Sequence, residues 1–358
     1  MVRRILGPSA VLLPLFLAAA SAQTAKTVPL GSSPTFLAVN ETTHKAYIAA
    51  GGGVSVVDGD ARVLATIKTP GGASNVAINP VTNRIYSVSQ GDSSCTVIDG
   101  ATDTVLATIK TGSYPQTVDV DPVANKIYVA NNFGHSVTVI DGITHAAVTF
   151  PVGHGPRGIA VNAKAGKAYT ANYGTSDTTE ITGGTNAVSP IPTGKHPWVI
   201  AADSGANKTY VVNEDSATIS IVDGTTGKAV DVRVGDMPFA VTFNAVTHRV
   251  YTLSYGNSTL AVIDPATARL VHTVKLAAQP SAVAVNSRTG AIYVAEQKTG
   301  NVAIYNGTTY ALIGRVKAGT IPYAMAADSA AGKIYVSNIY SGDVTVITGP
   351  MPAKRNTP

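Results

Sequence analysis

The chain has one cysteine, Cys95, among its 358 residues. A lone thiol makes no internal disulfide, so stability has to come from apolar packing. Cys95 sits in SSCTVID, where sister segments carry Val, and reads as a buried structural thiol. There is one tryptophan, Trp198, in KHPWV, so the tryptophan-rich blade signatures of other repeat proteins are missing. Only 13% of residues are charged. No stretch keeps a helical hydrophobic period over a dozen residues. Ligand pairs of the HxH or HExxH kind are absent, as are GxSxG and a phosphate-binding glycine loop. These absences point away from a zinc hydrolase, a serine hydrolase and a nucleotide-binding enzyme, and no cofactor or metal is expected.

One apolar run stands out, Ala10 to Ala20, preceded by Arg3 and Arg4 and followed by Ala20-Ser21-Ala22. It is too short for a confident membrane span and has the form of a secretory signal. Residues 1–22 are therefore expected to be a signal peptide, 23–349 the folded body, and 350–358 a disordered tail. That makes the protein an exported one, periplasmic or extracellular, with no transmembrane segment in the mature chain. The formal charge of +5 falls to +3 once Arg3 and Arg4 are removed, with 24 basic and 21 acidic residues left. Lys354 and Arg355 lie in the tail. The near-neutral body is a weak footprint for nucleic acid.

What is present is a repeat. Tyrosines 47, 86, 128, 169, 210, 251, 293 and 335 recur at spacings of 39, 42, 41, 41, 41, 42 and 42. Each lies in a short apolar run such as NKIYVAN (125–131) or GKIYVSN (332–338). Every copy holds four such runs, rich in Val, Ile and Thr and separated by Gly, Pro, Asn and Asp turns. These are antiparallel strands joined by hairpins. About 41 residues making four strands is one propeller blade, which needs neighbours to cover both faces. The last copy stops after its third strand, while AKTVPLG (25–31) matches AVTFPVG (147–153), a fourth strand. The expected fold is all-β: a single propeller of eight four-stranded blades, closed by the N-terminal strand completing the C-terminal blade.

IYVAN (127–131), AYTAN (168–172) and IYVSN (334–338), with GxxPxxVAVN-like and VxVIDG-like flanks, resemble the YVTN family of β-propeller repeat proteins. The resemblance spans essentially the whole mature body and is specific for fold. It implies an exported or surface-layer protein, and one periplasmic type in the family is associated with DNA binding. Seven blades are usual there, which makes seven the alternative count. The resemblance supplies no catalytic residues.

In a propeller the fourth-to-first and second-to-third connections share one face, here called the top. Loops on a rigid scaffold carry function, and a position doing only structural work looks alike in all copies. By that criterion the residue after the leading proline is the most individual: Thr35, Ser74, Gln116, Arg157, Trp198, Phe239, Ser281 and Tyr323. His154 and His196 stand close before their prolines. The second-to-third loops add Asn131, Asn132, Phe133 and His135, then Asn172 and Tyr173, then Asn213, Glu214 and Asp215. Glu296, Lys298, Asn338 and Tyr340 follow in later copies. The candidate ligand-binding set is His154, Arg157, His196, Trp198, Phe239, Asn131, Asn172, Asn213, Glu214 and Tyr323, concentrated on blades three to six. A protein, a carbohydrate or a small molecule could use such a surface, presented by a monomer. Rim packing is the structural alternative for each residue taken singly.

Other residues read as architecture. Asn40, Asn79, Asn162, Asn244 and Asn286, with Asp121, Asp203 and Asp328, share one turn position and suit backbone capping. The repeated tyrosines read as core with a hydroxyl partner. His44 and His248 read as surface turn residues, His145 and His272 as outer-strand residues. Asp119 stands where most copies have Ala, in a strand expected to line the channel, so it faces the channel or a polar neighbour. The leading function is a non-enzymatic binding or scaffold propeller. One alternative is a lactonase-like hydrolase or lyase at the channel mouth, which calls for His154, His196, Glu214 and Asp119 to converge. The other is single-stranded DNA binding through Trp198, Phe239, Arg157 and Lys195.

Overall fold

The computed structural model describes residues 23–277 and 279–349. The expected signal segment and tail lie outside these. Among the described residues thirty-two strands, numbered here in chain order, form eight four-stranded antiparallel sheets, with no helix. Blade three is representative: β10 (Pro115–Asp121), β11 (Lys126–Asn131), β12 (Ser136–Asp141) and β13 (Ala147–Pro151) pair in sequence order. Eight blades, not the seven usual in the family resembled, complete the ring. The closing strand is as expected. β1 (Thr24–Pro29) pairs along its full length with β32 (Asp343–Thr348), from Thr24 opposite Thr348 to Pro29 opposite Asp343. No helix of the described residues is long and apolar enough to cross a membrane.

Burial follows radial position. β11 and β12 are buried on both faces because blades two and four cover them, whereas outer β13 is largely exposed. Runs buried on both sides lose strict alternation and become continuous Val, Ile, Ala and Tyr. The core is accordingly a set of seams between neighbouring blades. Tyr86, Val88 and Val97 of blade two meet Val118, Ile127 and Val129 of blade three in one of them. All eight repeat tyrosines are essentially inaccessible. Their hydroxyls are less uniform than expected. Tyr47 donates to Asp103 Oδ1 at 3.1 Å, but the hydroxyls of Tyr86, Tyr210 and Tyr251 meet no partner among the described residues. Ring burial, worth about 1.5–3 kcal/mol per side chain, is what holds these tyrosines in place.

The bottom rim is a belt of amides. Asn40, Asn79 and Asn162 donate to the side-chain oxygens of Asn83, Asn125 and Asn207 in the next blade, at 2.9, 2.8 and 3.0 Å. Their own oxygens accept turn N–H groups, as Asn79 Oδ1 does from Val81 at 3.0 Å. Asn83, Asn125 and Asn207 have φ of 50°, 51° and 54°, and Gly166, Gly290 and Gly332 occupy the same turn with φ of 63°, 74° and 68°. Only residues tolerant of left-handed backbone serve there. His44, at the same position with φ 56°, is more than an ordinary turn residue. Its Nδ1 lies 2.7 Å from buried Asp328 of blade eight, and so continues the belt across the ring closure.

Candidate functional site

The first strand of every blade but the second opens with a defect. In blades three to eight the pairing slips after the proline, so Gln116, Arg157, Trp198, Phe239, Ser281 and Tyr323 have no partner across the strand. In blade one the slip covers both Thr35 and Phe36. A bulge of this kind releases a side chain from the sheet's alternation and re-aims it. The most individual position of the repeat is therefore the one the backbone frees.

Five of these side chains, Phe36, Trp198, Phe239, Ser281 and Tyr323, border a cavity of about 460 Å³ at the top mouth of the channel, together with Met237 and Tyr255. Phe36 and Tyr323 meet edge to face at 5.4 Å, as do Phe239 and Tyr255 at 6.2 Å. Glu214 is the only charged residue among the described lining residues. Burial and the neighbouring Asp215 raise its pKa, while Arg157 and His196 pull it down.

Beside the mouth, over blades three to five, runs a ladder of stacked rings. Tyr114 stacks on Phe133 at 4.2 Å and His135 on His154 at 4.7 Å. Tyr173 stacks on His196 at 4.4 Å. The Arg157 guanidinium sits over Tyr173 and Trp198, at 4.4 and 3.9 Å from the ring centroids. His196 Nδ1 lies 2.6 Å from Asp215 Oδ2. Arg157, His196, Trp198 and Glu214 thus stand together, while His154 belongs to the far end of the ladder with His135.

The backbone beneath carries strain. Tyr114, His196, Met237 and Ile321 each directly precede the leading proline with φ of 56°, 51°, 51° and 55°. A following proline disfavours helical geometry, and left-handed backbone costs a non-glycine residue about 1–2 kcal/mol. Gly155 fills the equivalent place in blade four with φ 63°. Large side chains at strained positions cluster at binding sites.

Asn131, Asn172 and Asn213 do not belong to this surface. They are fully buried, and each amide reaches across the blade: Asn131 Nδ2 donates to Ser136 Oγ and Thr138 Oγ1 at 3.1 and 2.9 Å. Asn172 and Asn213 make the same pair of bonds with Asp177 and Thr179, and with Thr218 and Ser220. They also explain the Gly-x-x-Pro phrase, since a Cβ at Gly112 would lie 2.6 Å from Asn131 Nδ2. Glu296, at the same position in blade seven, is buried and pairs with Arg315 Nε at 3.1 Å.

Asp119 does not join the mouth. Its oxygens accept from the backbone N–H of Val120 and of Val161 in the next blade, both at 2.8 Å. Burial raises its pKa to about 6 against the pull of those two bonds. The convergence of His154, His196, Glu214 and Asp119 that a channel-mouth enzyme calls for does not occur. Among the described residues no group of three or more His, Cys, Asp or Glu side chains is placed to hold a metal.

Phe36, Met237 and Tyr255 were not singled out by sequence. The position two after the proline holds Thr117, Gly158, Val199, Ala240, Ala282 and Ala324 elsewhere, so a phenylalanine in blade one was a readable exception.

No known family model matches the chain, and no curated protein matches it in sequence. Among solved structures it is similar to hydrazine synthase of Kuenenia stuttgartiensis, with a TM-score of 0.61 and 14% identity over 89% of this chain and 96% of that one. At that identity the likeness concerns the fold alone.

Proposed function

We propose that this protein is an exported, non-enzymatic binding propeller that takes an apolar-bodied small molecule, or an apolar side chain of a partner protein, into the top mouth. One observation carries the reading: bulges in blades one, five, six and eight turn Phe36, Trp198, Phe239 and Tyr323 toward a single cavity of about 460 Å³. A concave aromatic site with few polar groups is the usual form of a small-ligand pocket. The export signal expected in residues 1–22 supports the location.

Trp198 is the sole tryptophan and stands in the cavity wall, so the site carries its own reporter. Titration of the purified chain with phenylpropanol should change Trp198 emission saturably, and Phe239→Ala should weaken binding about tenfold, the loss of one well-packed ring contact. Unchanged affinity in Phe239→Ala, or no saturable binding of any aryl or alkyl probe, would refute the reading.

A further inference from the structure

We infer that the mouth selects cations: its ligand is a small monocation with an apolar body, an alkyl- or arylammonium whose charged head sits against Glu214 and whose body fills the space between Phe36, Phe239 and Tyr323. This rests on the binding role proposed above and names the chemical class of ligand. Three features of the cavity support it independently.

The first is charge. One carboxylate and no basic side chain stand among the described lining residues. An anion entering this mouth would be desolvated beside Glu214, whereas a cation would be paired there. Arg157 and His196 pull the Glu214 pKa down, and burial with Asp215 outweighs them, so a further cation at the carboxylate would still be favoured.

The second is the wall. Trp198, Phe239, Tyr255, Tyr323 and Phe36 present rings from four blades around one space. Ring faces attract cations, tryptophan most strongly. The protein already uses this attraction at the same wall, where the Arg157 guanidinium stands 3.9 Å from the Trp198 centroid. Arg157 is not part of the cavity lining, so it does not fill the space.

The third is the competition for polar groups. Besides Glu214 the polar side chains of the described lining are Ser281, Gln297, Tyr255 and Tyr323, and Ser281 already donates to the carbonyl of Pro322. A polyhydroxylated ligand would therefore find few partners here, while an ammonium head needs only the carboxylate and the rings.

The test is a charge series on one aryl body: phenylpropylammonium, phenylpropanol and phenylpropionate, titrated against the purified chain with Trp198 emission and calorimetry as readouts. Phenylpropylammonium should bind on the order of tenfold tighter than the alcohol, and phenylpropionate weakest. In Glu214→Gln the ratio of ammonium to alcohol affinity should fall to about twofold, with the urea midpoint of the variant reporting an intact fold. Equal affinities across the series, tightest binding of phenylpropionate, or an ammonium advantage that survives Glu214→Gln would overturn cation selection. Each of those outcomes would leave the mouth standing as a binding site. No binding of any of the three would overturn both.

Discussion

The two rims of the ring are made from the same eight repeats and treat their left-handed turn positions in opposite ways. At the bottom the turn between the first and second strands holds Asn, Gly or His, with φ between 50° and 74°, and several of its side chains tie one blade to the next. At the top the position before the proline holds Tyr114, Met237 and Ile321, residues ill suited to such backbone, as well as His196. In the bottom turn each copy uses a residue that tolerates left-handed backbone. Where copies differ and strain is retained, the side chains stack on one another or face the cavity. The side chains that lock the ring and those that border the cavity are thus separated between the two rims.

That separation can be probed at several points. The largest expected effect comes from between the rims. Asp119 has its pKa raised from 3.8 to about 6 by burial. A raised carboxyl favours the fold fully below its unfolded pKa, and that contribution is lost as pH rises through the folded one. The shift corresponds to about 3 kcal/mol at most, so stability of the parent should decline between pH ~4 and ~7. Asp119→Asn should remove that decline in urea titrations run across this range.

Next comes the bottom belt. Asn162→Ala removes the bond to Asn207 Oδ1 and the acceptor of the Ala165 N–H, at 3.0 and 3.2 Å. It should cost about 2 kcal/mol in urea unfolding, because buried partners are left unmade. At the top the sign reverses. Met237 is 48% exposed with φ 51°, so Met237→Gly relieves backbone strain and forfeits little burial. It should raise stability by up to about 1 kcal/mol while weakening ligand binding at the mouth. The smallest effect is at Cys95, whose thiol is pushed up to about 12 by complete burial. A thiol reagent should label it only as fast as the chain unfolds, and Cys95→Val should change stability by under about 1 kcal/mol.

How far the sequence could be read follows the same division. Blade number, strand order and the closing role of residues 25–31 were legible because register in a repeat is written eight times over. Asn162 and Asp121 were legible as turn caps for the same reason. Asn131, Asn172 and Asn213 misled because a strand-end Asn beside a loop looks the same whether it turns outward or inward. Only the Ser, Thr or Asp residues five and seven positions later, which take its amide, tell the two apart. Arg157 and Trp198 were singled out by their individuality, and the bulge explains why that position is free to vary. Phe36 was missed because it stands one residue beyond the variable position, where the other blades carry small side chains. The stacking of His154 on His135, rather than its approach to His196, depends on loop geometry that spacing does not encode.

The most direct test of separated rims pairs one variant from each. Phe36→Ala at the top and Asn162→Ala at the bottom should be compared for phenylpropylammonium affinity and for urea midpoint, both under conditions where each chain is folded. Phe36→Ala should lose about tenfold in affinity with a midpoint near that of the parent, and Asn162→Ala should bind as the parent does with a clearly lower midpoint. Equal loss of affinity in both, or loss confined to Asn162→Ala, would contradict the account.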